Sequence, residues 1–304
     1  MFYRLRRALN SWQFNRIIRD IHKTPPLRIV DSDLRILSMV AVTRDIPMYL
    51  MAAKLLYRRI GHGRFVVIPD RPLPEIWKDR LLHHLGGGVT FIDIASIPVG
   101  RCQHGGCWER LLACLDLSAS HYVIQMDSDT LAFGPLPEVV GAVAANRSFT
   151  LANGIPLQTV AEAVAWIEAN RLGGEHINDA AQRALAQLGE AATQKYIRGS
   201  AGFTGFAKGA VSRQQAEAFH AEMESILGAA RWREWGSEQI ASNFLIANAP
   251  DPLVLPHPDY STVPPGAEMA PVRFGHFIAS SRYIGQRMAR AGESLMPGLH
   301  TTAT

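Results

Sequence analysis

Two carboxylates one residue apart, Asp127 and Asp129, sit in the stretch HYVIQMDSDTLAFGPLPEV, which runs from His121 to Val139. Apolar side chains lead up to them, and Gly134, Pro135 and Pro137 turn the chain afterwards. An ionised carboxylate is costly to desolvate unless something positive meets it. In a strict strand, residues i and i+2 point the same way. Asp127 and Asp129 on one side can hold a hard divalent cation and leave positions open for phosphate oxygens. The plainer reading is a hydrated turn, because Asp and Ser favour turns. Placement in the fold separates the two.

The elements upstream supply that placement. LRILSMVAV (34–42) reads as a short buried strand, and IPMYLMAAKLLYRRIG as a helix opening near Pro47 and closing at Gly61. RFVVIPD (64–70) and VTFIDIA (89–95) read as two further strands. LPEIWKDRLLHHLGGG and CWERLLACLDLS read as helices, and HYVIQMD as the fourth strand. Short apolar strands alternating with helices predict a largely parallel sheet covered on both faces. Ligands in such sheets bind beyond the carboxyl ends of the strands, which is where Asp127 and Asp129 fall.

Past Ser148 the pattern loosens. PLQTVAEAVAWIEANRLGG and INDAAQRALAQLGEAATQKY read as helices of an insertion or lid. GSAGFTGFAKG (199–209) reads as strand pairing or as backbone lining a site, with Gly202 the position where sugar or phosphate would approach; a tight strand turn explains the glycines equally well. SRQQAEAFHAEMESILGAARW is a helix, and GSEQIASNFLIAN begins another with Ser237 as N-cap. The tail through APVRFGHFIASSRYIG reads as extended and loop-rich.

The bulk numbers narrow the class. The chain has 304 residues and a formal net charge of +4, but residues 1–28 alone carry +6 and the remainder −2. A nucleic-acid-binding body would carry its basic surface on the fold itself, so that class is disfavoured. The three cysteines, Cys102, Cys107 and Cys114, make no disulfide framework and fit a reducing compartment. Cys102, His104 and Cys107 lack the paired spacing of a structural zinc site. No apolar run approaches a membrane span, and no continuous h-region marks a secretory signal.

The order of these motifs resembles the GT-A glycosyltransferases, enzymes that use nucleotide sugars and carry an Asp-X-Asp after a nucleotide-binding half. YVIQMDSDTLAFGPL matches that motif, WERLLACLDL the helix leading into it, and ILSMVAVTRDIPMYLMAAKLL the opening strand and helix. The resemblance spans roughly residues 34–285. It implies an α/β, Rossmann-like fold with a mostly parallel central sheet. The nucleotide-binding half would be about 34–130 and the acceptor and metal-completing half about 131–290, within a domain 29–304 behind a helical arm 1–28. It implies Mn2+ or Mg2+ as cofactor, a nucleotide-diphosphate sugar as donor and a glycan or glycolipid as acceptor, without nucleic acid. Asp127 would meet the donor ribose or the metal, Ser128 would lie at the donor, and Asp129 would bind the metal. A late histidine completes such sites, His276 first and His257 as its rival. Arg282 would reach the diphosphate, and Thr43 and Arg44, with Asp45, the nucleoside. Glu238 would contact the acceptor or act at the reaction centre, with a first-turn helix acid as the plain reading.

Other classes share parts of the pattern. A haloacid-dehalogenase-type phosphatase places its Asp-X-Asp on the first strand, whereas three βα units precede Asp127 here. A sugar nucleotidyltransferase needs a glycine-rich basic loop after strand one, and AVTRDIPMY has no glycine. A non-catalytic carbohydrate-binding protein would be free to lose Asp127 and Asp129, and both are intact. Leu5, Leu9, Trp12, Ile17 and Ile21 recur at helical spacing among arginines in residues 1–23. That arm reads either as packed on the body or as an interfacial helix on an anionic membrane. The expected location is cytoplasmic, with peripheral contact at the inner membrane face.

Overall fold

The computed structural model describes residues 2–42, 45–170, 176–263 and 272–300, with side chains described from residue 8 onward. The chain divides into two compact units. The first comprises Met1–Ile94, Met126–Val140 and Pro258–Thr304, the second Ala95–Gln125 and Gly141–His257.

In the first unit, strand Leu34–Val40 pairs in parallel with Arg64–Pro69, which pairs in parallel with Val89–Phe91. The first two are near-continuous runs of buried residues, as parallel strands covered on both faces must be. Helix Ile46–Ile60 makes the crossover between them. It is buried almost all round, starts with Pro47 in its first turn and stops at Gly61, whose φ of 85° suits glycine. Ser38, the buried hydroxyl of the first strand, donates to Met126 O at 2.7 Å and so fixes the strand end that leads into Asp127. A second sheet follows: Tyr260–Thr262 runs parallel to Phe274–His276, which runs antiparallel to Thr130–Ala132.

The N-terminal arm is helix Phe2–Ile17 continued by a 3-10 turn, Ile18–Lys23. Its apolar residues form two stripes rather than the single one the spacing predicts. Phe14, Ile18 and Ile21 are fully buried, Phe14 edge-on to Tyr283 with ring centres 5.8 Å apart. Gln286 Nε2 donates to Asn10 O just before helix Arg287–Leu295, which follows the stretch read as extended. Leu9 and Trp12 stay 54% and 58% exposed, with the Arg16 guanidinium over the Trp12 ring. Where the arm ends, Lys54 is buried and donates to Thr24 Oγ1, Pro25 O and His84 Nδ1 at 2.7, 2.7 and 3.1 Å.

In the second unit, Phe149–Leu151 pairs in parallel with Leu253–Leu255 and antiparallel with Ser200–Phe206. Gly205 is there for packing: a Cβ on it would run into the Phe149 ring. The expected helix 177–196 stops at Ala184, gives way to a 3-10 turn, and Lys195–Tyr196 pairs instead with Gln158–Thr159. Ser212 and Gln215 form a reciprocal cap on helix Arg213–Leu227. Ser237 does not cap helix Ser237–Ala247. Gly236 holds the cap position at φ 115°, while the Ser237 hydroxyl accepts from the buried Trp108 indole at 3.0 Å. The α/β class with mostly parallel strands and flanking helices is therefore as the alternating pattern predicts.

Candidate metal centre

Strand Tyr122–Met126, buried along its length, ends one residue before Asp127. Ser128 and Asp129 then lie in a turn, rather than in a strand, between Asp127 and Thr130. Thr130 Oγ1 donates to Asp127 O at 2.9 Å and closes that turn. The two carboxylates still converge, through the turn and not through strand alternation.

The second sheet brings in His276. Its partner across the ladder is Thr130, and Phe277 N donates to Asp129 O at 2.8 Å. On the other side, Val263 N donates to His276 O at 2.7 Å. Pinned from both edges, His276 points Nε2 to within 3.3 Å of Asp129 Oδ1 and 3.7 Å of Asp127 Oδ2. Asp129 and His276 are buried, with side chains 5% and 6% exposed, and Asp127 is 28% exposed.

Arg282 completes the group. It sits in the 3-10 turn Ala279–Arg282, and its Nη2 lies 2.6 Å from Asp129 Oδ2. Its Nη1 lies 3.8 Å from Asp45 Oδ2. Asp45 holds the N-cap position of helix Ile46–Ile60, but its side chain makes no capping bond.

The charges set one another. Burial opposes an imidazolium at His276, yet Asp129 and then Asp127 outweigh it, and His276 titrates above its ordinary value. Burial would likewise raise Asp129, but His276 and Arg282 hold its carboxyl below the usual carboxylate range.

Metal binding can be tested on this donor set. One ligand atom from each of Asp127, Asp129 and His276 fits within a span of 4.8 Å. Two hard carboxylate oxygens and an imidazole suit a divalent cation such as manganese or magnesium. The residues present fit the group. Cys102, Cys107 and Cys114 are in no disulfide among the described residues and belong to the second unit.

No protein-family model and no curated protein matches the sequence. Solved structures do match. An active-site mutant of LgtC superposes with a TM-score of 0.52 at 14% identity, covering 88% of this chain and 97% of that one. The fold is GT-A. Two more similar structures are the apo WbbM bifunctional glycosyltransferase (TM-score 0.49, 13% identity, 91% of this chain and 53% of that one) and the apo mouse xyloside xylosyltransferase 1 (TM-score 0.45, 11% identity, 83% and 99%).

On the GT-A frame, the first unit gathers Asp127, Ser128, Asp129, His276 and Arg282, along with Asp45. Ser128 is buried in the turn between the two carboxylates. Thr43 and Arg44 lie outside the described residues. His257 belongs to the second unit, beside Gly154. Gly202 lies within the buried strand Ser200–Phe206, where its N–H donates to Ser200 Oγ at 3.3 Å. Glu238 is buried, and both its oxygens accept from Arg110 Nη2 at 3.3 Å. Nothing in the sequence marks Arg110 as its partner: the two are 128 residues apart, and helix Trp108–Ser118, which carries Arg110, is buried on most of its surface. The Asp129–Arg282 contact had no signal either, because it depends on the turn after His276.

Proposed function

We propose that this protein is a metal-dependent glycosyltransferase that moves a hexosyl-type sugar from a nucleotide-diphosphate sugar to a glycan or lipid-linked acceptor. The observation that carries this reading is the convergence of Asp127, Asp129 and His276, with Arg282 beside them, at the end of a central strand in a GT-A fold. Asp127, Asp129 and His276 would hold Mn2+ or Mg2+, which when bound neutralises charge building on a diphosphate leaving group. Arg282 offers a planar fork that matches phosphate oxygens. The side chains assigned to the nucleoside are Thr43 and Arg44, with Ser128 and Gly202 assigned to the donor. The anomeric carbon loses its bond to the diphosphate oxygen, which leaves with the electron pair, and gains one to the acceptor hydroxyl oxygen, whose proton passes to a base or to water. Glu238 is assigned to the acceptor side of that exchange, and Asp127 to the donor side.

The place of action proposed is the cytoplasmic face of a membrane, in surface polysaccharide or glycolipid assembly. Among the described residues no helix is long and apolar enough to cross a membrane. The exposed Leu9 and Trp12, beside the arginines of the arm, support peripheral contact with anionic lipid.

A thermal-shift panel of nucleoside diphosphates and their sugars, with and without Mn2+, tests the reading. A metal-dependent rise in melting temperature with one nucleotide series is expected, because a ligand that binds only the folded state stabilises it by mass action. No shift with any of them, together with turnover of phosphomonoesters, would favour the dehalogenase-type phosphatase.

A further inference from the structure

Arg282 is held at three points, and only one of them is a metal-ligand candidate. Its Nε donates to Ala279 O at 2.9 Å, within the turn that carries the residue. Nη1 faces Asp45 at 3.8 Å. Nη2 alone lies against Asp129, at 2.6 Å, the shortest of the carboxylate contacts in the site. Asp129 is thereby shared out: Oδ2 goes to the guanidinium and Oδ1 faces His276. A divalent cation that takes Asp129 as ligand meets a positive group already in place. Like charges at that range repel strongly in a buried site.

We propose that Arg282 is a built-in counter-cation that occupies Asp129 until an anionic diphosphate draws the guanidinium away, so that metal and diphosphate bind cooperatively. The inference rests on reading Asp127, Asp129 and His276 as a metal site. The anchoring explains how the exchange can be local. With Nε on Ala279 O and Nη1 toward Asp45, the head stays at the site and only the Nη2 edge has to change partner. A diphosphate offers oxygens that match that edge. Metal alone must displace the guanidinium edge from Asp129 with only the Asp45 carboxylate, 3.8 Å from Nη1, near enough to receive it. Metal with diphosphate gives the displaced edge a dianionic partner. Coupling of this kind is reciprocal: whatever factor the diphosphate contributes to metal affinity, the metal contributes to diphosphate affinity.

The experiment is a Mn2+ titration of the full chain without nucleotide, read by electron paramagnetic resonance of the free ion. Wild type, R282Q, R282A, R282K and D129A are compared, and folding is checked by circular dichroism. R282Q and R282A are both expected to bind Mn2+ more tightly than wild type, by about tenfold within the 5- to 150-fold span usual for coupled sites. R282K keeps the charge and is expected to stay near wild type. Two uncharged variants are included so that a folding failure in one leaves the other to decide. If D129A abolishes Mn2+ binding but R282Q and R282A bind no more tightly than wild type, Arg282 supports the site instead of competing for it, and the proposal fails alone. If Mn2+ binding is independent of Asp129 in every variant, the metal-site reading fails and the proposal with it.

Discussion

Asp129 carries more of the site than Asp127, because it is buried and touches both His276 and Arg282. Asp129→Ala is expected to abolish metal-dependent nucleotide binding, and Asp127→Ala to weaken it strongly. His276→Ala should weaken metal affinity by at least the ~10- to 100-fold that loss of even a supporting partner costs. His257→Ala, in the second unit, should leave it unchanged. Titration calorimetry with Mn2+ and the nucleotide found by thermal shift checks all four; normal affinity in Asp129→Ala would remove the central claim. Glu238 needs a different design. Its carboxylate pairs with the buried Arg110, so Glu238→Ala removes a partner from a buried cation and should lower the urea midpoint. Glu238→Gln keeps one oxygen to accept from Arg110 and should cost less. Activity of the glutamine variant, measured where it is fully folded, is therefore the readout of a role in transfer.

Among the elements, the N-terminal arm does two things with two faces. Phe14 is fully buried against Tyr283, so Phe14→Ala is expected to destabilise the fold by about 3–5 kcal/mol. Leu9 and Trp12 face outward, and Leu9→Ala or Trp12→Ala should shift stability by no more than about 0.5 kcal/mol. Those two variants should nevertheless lower flotation with anionic vesicles, and raised salt should lower it further. Unchanged flotation in both would leave the arm a packing element only. The sequence exposed the arm's amphipathic character but not which apolar residues dock. Helical spacing gives neighbours on a cylinder; it does not say which side another element will cover.

Stability belongs to the entire fold, and the Lys54 cluster gives it a pH dependence with a definite sign. Burial pulls Lys54 down to about 8 from 10.5. Between those values the unfolded chain binds the proton that the folded chain has lost, so stability rises with pH across that window. His84 is pulled down to about 4 from 6.5, by burial first and then by Lys54. From pH 6.5 downward the unfolded chain takes up a proton that the folded chain refuses, and stability falls. The difference in urea midpoint between wild type and Lys54→Met should therefore move in favour of wild type as pH rises from about 8 towards 10.5. A flat difference would mean that the ammonium is solvated in the folded state.

The alternation of buried strands and helices up to Asp127 was legible in the order of residues, because parallel strands covered on both faces need continuous apolar runs and their crossovers need capped helices. So was the position of Asp127 and Asp129 at a strand end, since the apolar run stops there and turn residues follow. Helix limits set by local chemistry, such as the stop at Gly61, could be read for the same reason. Whatever depended on distant partners waited for the folded chain. Ser237 lost its capping role to the Trp108 indole, Glu238 was neutralised by Arg110, and the chain after Ala184 left its helix to pair Lys195–Tyr196 with Gln158–Thr159. His276 met Asp129 only because the antiparallel ladder with Thr130–Ala132 set its register. Arg282 reached the same carboxylate through a turn that begins three residues after His276, a contact that no spacing along the chain specifies because its geometry belongs to the folded backbone.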